Sequence, residues 1–222
     1  HITAQLYEDI GMFTVDDDIG ADATDLFNFL TGYSAKEDYR KLMVAPVHLR
    51  ENFSKLLLQE IAHQKKHGDG RMILKMNSLV DEEIIRLLYQ ASQSGVKIDL
   101  IVRGICCLRP GVEGLSENIR VISVLGRFLE HSRIFYFYNH GKETVYMGSA
   151  DLMPRNLNQR VEVLFPVEDE DMIRQLRDNV LDIYLKDNIK AWDMRPDGTY
   201  ERRQPKDNET FIDVQRWFLG QR

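Results

Sequence analysis

Three observations predict an α/β fold, a mixed sheet flanked by helices. Arg71–Met76, Asp81–Ser94 and Lys97–Val102 make a strand–helix–strand unit, whose crossover favours parallel pairing and a right-handed connection. Ser132–Tyr138 and Glu143–Met147 are two strand-like runs joined by turn residues at Asn139–Gly141, which implies an antiparallel pair. Arg50–Gln64 and Glu168–Leu185 carry apolar residues at helical spacing, enough to cover a sheet.

The elements follow in order. Ile2–Tyr7 reads as a short strand, Asp16–Asp18 as an acidic turn, and Ala21–Leu30 as a short helix with Gly32 just past its end. Lys41–Val47 is an apolar segment interrupted by Pro46. In the helix over Arg50–Gln64, Glu60 marks the polar boundary, and Lys65–Gly70 ends it in a turn. His63 and His67 lie four apart with no third ligand nearby in sequence, so no structural metal is expected. Gly95 turns the chain between helix and strand. Further strands are expected at Val121–Leu125 and Val161–Phe165. Met172, Ile173, Leu176, Val180, Leu181 and Tyr184 form the buried stripe of the covering helix. Asn188–Trp192 reads as a turn or short helix, and the segment from Met194 onward as irregular, with Phe211, Val214, Trp217 and Phe218 docking it.

A chain of 222 residues can bury roughly 70% of its unfolded surface in one good core or two small ones. A formal net charge of -6 disfavours a general nucleic-acid role, because the molecule as a whole repels a polyanion; a local cationic pocket remains compatible with it. Cys106 and Cys107 are adjacent, unlike a disulfide framework or a metal-binding pair, and fit a reduced cytosolic setting. No signal peptide and no run of about 18 apolar residues occurs, so no transmembrane segment is expected. A cytoplasmic location follows, with peripheral attachment to the inner membrane through further sequence left open. The chain lacks an initiator Met and opens abruptly in a strand, so a piece of a longer protein is expected.

The chemistry concentrates between Asn118 and Phe165. His131 can carry a proton at neutral pH or attack phosphorus, and packs as an ordinary histidine in the alternative. Arg133, two residues on, shares its strand face and can neutralise phosphate oxygens or pair at an edge. Gly148 permits close approach and Ser149 adds a hydroxyl. Asp151 orients a histidine or arginine, or caps a helix; Arg155 and Asn156 cap a turn or organise a pocket. At the carboxyl ends of the two parallel strands stand Lys75, Asn77 and Ser78, then Arg103, where open α/β sheets place ligands. Arg103 and Arg109 each clamp a phosphate or satisfy loop carbonyls. Arg127 completes a cationic set, and Tyr7 packs a core edge or faces a ligand.

These residues sit in a series of motifs. Leu26–Ser34, Lys75–Leu79, Arg103–Gly111, Ser116–Ile119, Gly126-Arg-Phe-Leu-Glu-His-Ser-Arg-Ile134 and Gly148-Ser-Ala-Asp151 with Arg155-Asn156 together resemble the bacterial polyphosphate kinase family, type 1, over nearly the whole chain and in order. The resemblance implies a phospholipase D-like fold in which residues 1–41 close a first catalytic domain and 42–222 form the second. It implies reversible phosphate transfer between ATP or ADP and inorganic polyphosphate, through a phosphohistidine upstream of this chain, in a homo-oligomeric enzyme. His131 then matches the second domain's histidine, in general acid/base assistance and phosphate binding, and Tyr7 and Arg103 match nucleotide-contacting positions. Lys75, Asn77, Arg127, Arg133, Ser149 and Asp151 lie in family-like motifs. Mg²⁺ is expected with ATP, with no ligand assigned here.

Where the broader phospholipase D pattern has His-x-Lys, this chain has His131-Ser132-Arg133, and Tyr138 stands where that pattern has Asp. Ordinary phosphodiesterase chemistry is therefore disfavoured. The alternative function is a non-enzymatic phosphate-binding or oligomerisation module.

Overall fold

A computed structural model describes residues 6–33 and 38–220. Eleven strands and seven helices are assigned among the described residues. Nine strands form one mixed sheet in the order β11(Tyr200–Arg202), β10(Ala191–Met194), β5(Ile119–Val124), β4(Lys97–Val102), β3(Arg71–Met76), β7(Arg133–Phe137), β8(Thr144–Gly148), β9(Glu162–Val167), β2(Met43–Ala45). The β3–β4 and β4–β5 pairs are parallel and the rest of this sheet antiparallel. β1(Tyr7–Glu8) pairs separately, in parallel, with β6(Leu129–Glu130).

The alternation of side chains along each strand divides the core in two. Met72, Leu74 and Met76 of β3 join Phe135 and Phe137 of β7 beneath α2(Leu49–His67) and α3(Glu82–Gln93). Ile73, Ile134 and Tyr136 point the other way, toward α5(Glu170–Gln175), the π-helical turn Leu176–Leu181, α6(Asp182–Lys186) and α7(Val214–Gly220). Phe53 of α2 meets the edges of Phe135 and Phe137 at ring separations of 5.1 and 6.0 Å. The mixed sheet between helices is the expected fold.

Local chemistry sets the boundaries. The strand–helix–strand unit has its predicted strands, and Asp81 accepts from the Ile84 N–H to start α3. The acidic triplet near the chain's start is a helix beginning rather than a turn: Asp16 caps α1(Asp17–Leu30) by accepting from Ile19, and Asp17 and Asp18 sit in its first turn, where the helix dipole favours them. Buried Asp22 of α1 accepts the N–H groups of Arg40, Lys41 and Leu42, tying that helix to β2. α2 runs on to His67 because Gly68, at φ +77°, supplies its left-handed end.

Other expectations change. Glu60 is not a solvated boundary but 1% exposed, accepting the N–H groups of Arg71 and Asn139. Met172 is half exposed, so it leaves the predicted stripe. Residues 191–194 form β10, and the segment beyond contains β11 and α7, ordered by pairing to β5 and by buried Val214. Phe211 and Trp217 stay largely exposed, whereas Phe218 packs on Tyr184. Of the expected first strand, Ile2–Gln5 lies outside the described residues, as does Ser34.

Candidate active site

The carboxyl ends of β3, β4 and β8 and the amino end of β7 meet at one edge of the sheet. Antiparallel register puts Arg133 opposite Gly148 and Ile134 opposite Lys75, while the parallel neighbour carries Arg103 just past β4. A hydrogen-bonded chain of side chains runs across this edge. Arg103 Nε donates to Asn77 Oδ1 at 3.3 Å, and the Asn77 N–H donates to Asp151 Oδ1 at 2.7 Å. Arg133 then grips Asp151 through Nε at 3.3 Å and Nη2 at 3.1 Å. Its Nη1 reaches the His131 carbonyl at 2.7 Å and His131 Nε2 at 3.2 Å. Arg103 and His131 therefore share one edge of the fold.

This wiring fixes the His131 tautomer. A guanidinium only donates, so Nε2 is the acceptor and Nδ1 carries the hydrogen that it donates to Asp9 Oδ2 at 2.8 Å. The Tyr7 ring meets the imidazole edge-on at 5.1 Å. A cleft of about 310 Å³ opens beside the imidazole, lined by Asp9, His131, Arg133, Gly148, Ser149 and Phe165 among others.

Gly148 is obligatory here. A Cβ on it would stand 1.9 Å from the Val163 carbonyl oxygen, because β8 and β9 approach so closely that the next residue, Ser149, donates its N–H to that oxygen at 3.0 Å. The Ser149 hydroxyl donates to Glu162, which also accepts from Asn156 Nδ2 at 2.7 Å.

Behind His131, Lys75 Nζ donates to Ser132 Oγ at 2.8 Å and lies 3.3 Å from Glu130. Burial pushes the Glu8 carboxyl up to about 7, with Lys75 opposing the rise and Glu130 adding to it. Burial would raise Glu130 as well, yet Lys75 and the Tyr184 hydroxyl hold it below its ordinary value.

The family model described as "Polyphosphate kinase C-terminal domain 2" matches residues 42–215, and "Polyphosphate kinase C-terminal domain 1" matches 1–36. The chain belongs to the polyphosphate kinase family. It is 57% identical over 219 residues to a polyphosphate kinase of Synechocystis sp., covering 99% of this chain and 30% of that protein. A polyphosphate kinase of Thermosynechococcus vestitus is 54% identical over 207 residues, covering 93% and 28%. The crystal structure of polyphosphate kinase from Porphyromonas gingivalis superposes with a TM-score of 0.88 at 41% identity, over 94% of this chain and 32% of that one. The chain thus spans about 30% of the length of the curated relatives it matches.

Within this polyphosphate kinase domain, Tyr7, Lys75, Asn77, Arg103, His131, Arg133, Ser149, Asp151 and Asn156 gather at the sheet edge or directly behind it. Three predicted arginines, all exposed, make no side-chain hydrogen bond into this network among the described residues. Exposed Arg109 sits on the loop after β4, whose Gly111 approaches Pro196; exposed Arg127 lies over the Phe128 ring at 5.2 Å; and Arg155 is exposed on α4(Pro154–Asn158). Each is on a loop or short helix whose direction sequence spacing does not convey.

Sequence reasoning also missed Glu8, Asp9, Glu130, Glu162 and Gln215. Glu8 and Asp9 follow Tyr7, and Glu130 precedes His131, so adjacency was the available signal; nothing local marks Gln215, which arrives 85 residues later. The His63 and His67 pair acquires a neighbour that sequence separation hid, since the turn after β7 stacks His140 on His67 at 3.5 Å.

The residues present do not fit a protein-held magnesium ion. Among the described residues no three His, Cys, Asp or Glu side chains are grouped to hold a metal. The carboxylates at this edge are already committed: Asp151 to Arg133 and two backbone N–H groups, Glu130 to Lys75, Tyr184 and Gln215, and Glu162 to Ser149, Asn156 and Arg160.

Proposed function

We propose that this chain forms the nucleotide- and phosphate-holding half of an ATP–polyphosphate phosphotransferase, whose full-length form moves the terminal phosphate of ATP to inorganic polyphosphate and back. The observation that carries this reading is the continuous Arg103–Asn77–Asp151–Arg133–His131 chain at the strand ends, in a member of the polyphosphate kinase family. Phosphate transfer demands cationic donors fixed before charge develops. Asp151 holds the Arg133 fork and leaves Nη1 turned toward the imidazole, while Arg103 stands at the other end of the chain with its Nε on Asn77.

His131 is the proton-handling group in this reading. Its Nδ1–H is held by Asp9 and its Nε2 accepts from Arg133 Nη1, so Nε2 exchanges a proton with a phosphate oxygen once that oxygen replaces the Arg133 contact. Tyr7 offers its ring and half-exposed edge to a nucleotide. The attacking histidine comes from upstream sequence of the same protein, and Mg²⁺ arrives on the nucleotide. No transfer step is assigned to groups of this chain beyond charge neutralisation and proton handling.

Full-length protein carrying this chain, given γ-labelled ATP and polyphosphate, should build labelled polymer that precipitates in cold acid and is separated from labelled ATP and free phosphate. The 222-residue chain alone should bind ADP weakly without turnover. Robust transfer by the 222-residue chain alone would overturn the claim that its site is incomplete; hydrolysis with no labelled polymer from the full-length protein would overturn the phosphotransferase reading.

A further inference from the structure

On the opposite sheet face from Arg133, the polar cluster behind His131 has an uneven charge count. Lys75, 2% exposed, sits 3.3 Å from Glu130 and 3.8 Å from Glu8, so one cation faces two carboxyl groups. Ionising both would leave an uncompensated negative charge in this cluster, which favours a proton on one of them. Glu130 already accepts from the Tyr184 hydroxyl and from Gln215 Nε2 at 2.7 Å beside Lys75, which favours its charged form. Below about pH 7 the proton therefore falls to Glu8, whose carboxyl burial pushes up to about 7. Facing Glu8 are Lys75 from β3, Glu130 from β6, the His131 N–H at 3.3 Å and the Ser132 hydroxyl at 3.1 Å, with Tyr184 of α6 closing the cluster beyond Glu130.

Glu8 sits between two residues that hold the imidazole. Tyr7 meets the His131 ring and Asp9 accepts from its Nδ1, while the Glu8 carbonyl takes the His131 N–H at 3.2 Å in the β1–β6 pairing. Residues 7 to 9 thus touch His131 on ring, side-chain nitrogen and backbone.

We infer that Glu8 is a positioning residue: its carboxyl, seated against the Ser132 hydroxyl, the His131 N–H and the Lys75–Glu130 pair, clamps the Tyr7–Asp9 segment onto His131 and so sets the imidazole in the site. This deepens the proposed phosphotransferase reading and rests on it for its consequence, though not for its test. Because the folded Glu8 carboxyl titrates near 7, above its ordinary 4.5, the clamp is fully present below about 4.5 and weakens as pH rises to about 7, levelling off above. Glu130 is displaced the other way, so its own contribution changes below the ordinary carboxylate range.

Amide hydrogen exchange at Leu129 and His131, whose N–H groups bond to the Leu6 and Glu8 carbonyls, reads the clamp without any nucleotide. After correction for intrinsic rates, wild-type protection should fall about tenfold or more between pH 5 and 7.5 and then level. Glu8→Gln, which stays uncharged and keeps a polar group against Ser132 and Lys75, should keep high protection across that range, and Glu8→Ala should have low protection throughout. Protection that is flat with pH in the wild type, or equal in Glu8→Ala and wild type, overturns the inference. Failure of the polymer-labelling assay with these exchange profiles intact would overturn the functional reading alone.

Discussion

The Arg133 guanidinium meets the Asp151 carboxylate at two points, 3.3 and 3.1 Å apart, with both residues under 9% exposed. The same carboxylate accepts the N–H groups of Asn77 and Ser78, so one side chain fixes the end of β3 and the cation beside His131. Removing it strands a buried charge and two backbone donors together. Asp151→Ala should lower unfolding free energy by roughly 3–5 kcal/mol, and Asp151→Asn by less because one acceptor oxygen survives. Urea denaturation of the three proteins checks the order.

Arg133→Lys tests geometry apart from charge. A lysine cannot span Asp151 and His131 with a planar fork. Transfer by the full-length protein should drop roughly tenfold or more, equivalent to about 1.4 kcal/mol, while circular dichroism stays unchanged. Equal rates for lysine and arginine would remove the fork from the account.

Gly148→Ala probes the β8–β9 approach. The added methyl has nowhere to go, since the atom it meets is a backbone carbonyl oxygen at 1.9 Å rather than a yielding side chain. Destabilisation should reach the upper end of the roughly 1–3 kcal/mol seen for overpacking, and a thermal melt within one degree of wild type would contradict it.

How much of this was visible in the sequence differs by element. β3, β4 and the helix between them were legible because hydrophobic periodicity and the Asp81 and Gly95 boundary residues agree. His131, Arg133 and Asp151 were legible as a motif set. Glu60 misled because a buried glutamate bonded to two backbone N–H groups has the same spacing as a solvated one. β10 and β11 were hidden because their pairing partners lie far away in sequence, and Arg109, Arg127 and Arg155 because spacing does not say where a loop points.

That last distinction is testable. Arg103→Ala should weaken ADP binding to full-length protein about 10–100-fold, in line with loss of a charge-assisted contact. Arg109→Ala, Arg127→Ala and Arg155→Ala should each change it by about twofold or less, as expected for solvent-exposed charges. Calorimetric titration across the four variants decides.

The adjacent cysteines should separate by reactivity. Burial pushes the Cys106 thiol up to about 11, so at pH 8 its thiolate is scarce, whereas Cys107 is exposed. Iodoacetamide followed by peptide mass spectrometry should label Cys107 first, and preferential labelling of Cys106 would contradict the burial. Raising the pH toward 11 should bring Cys106 into reaction.

Labelled-phosphate transfer from ATP to polyphosphate by full-length protein, comparing wild type with His131→Ala, bears most directly on the imidazole at this sheet edge. The account predicts at least a hundredfold loss of transfer, with the fold retained by circular dichroism and ADP still bound. Transfer by the alanine variant at the wild-type rate would contradict it.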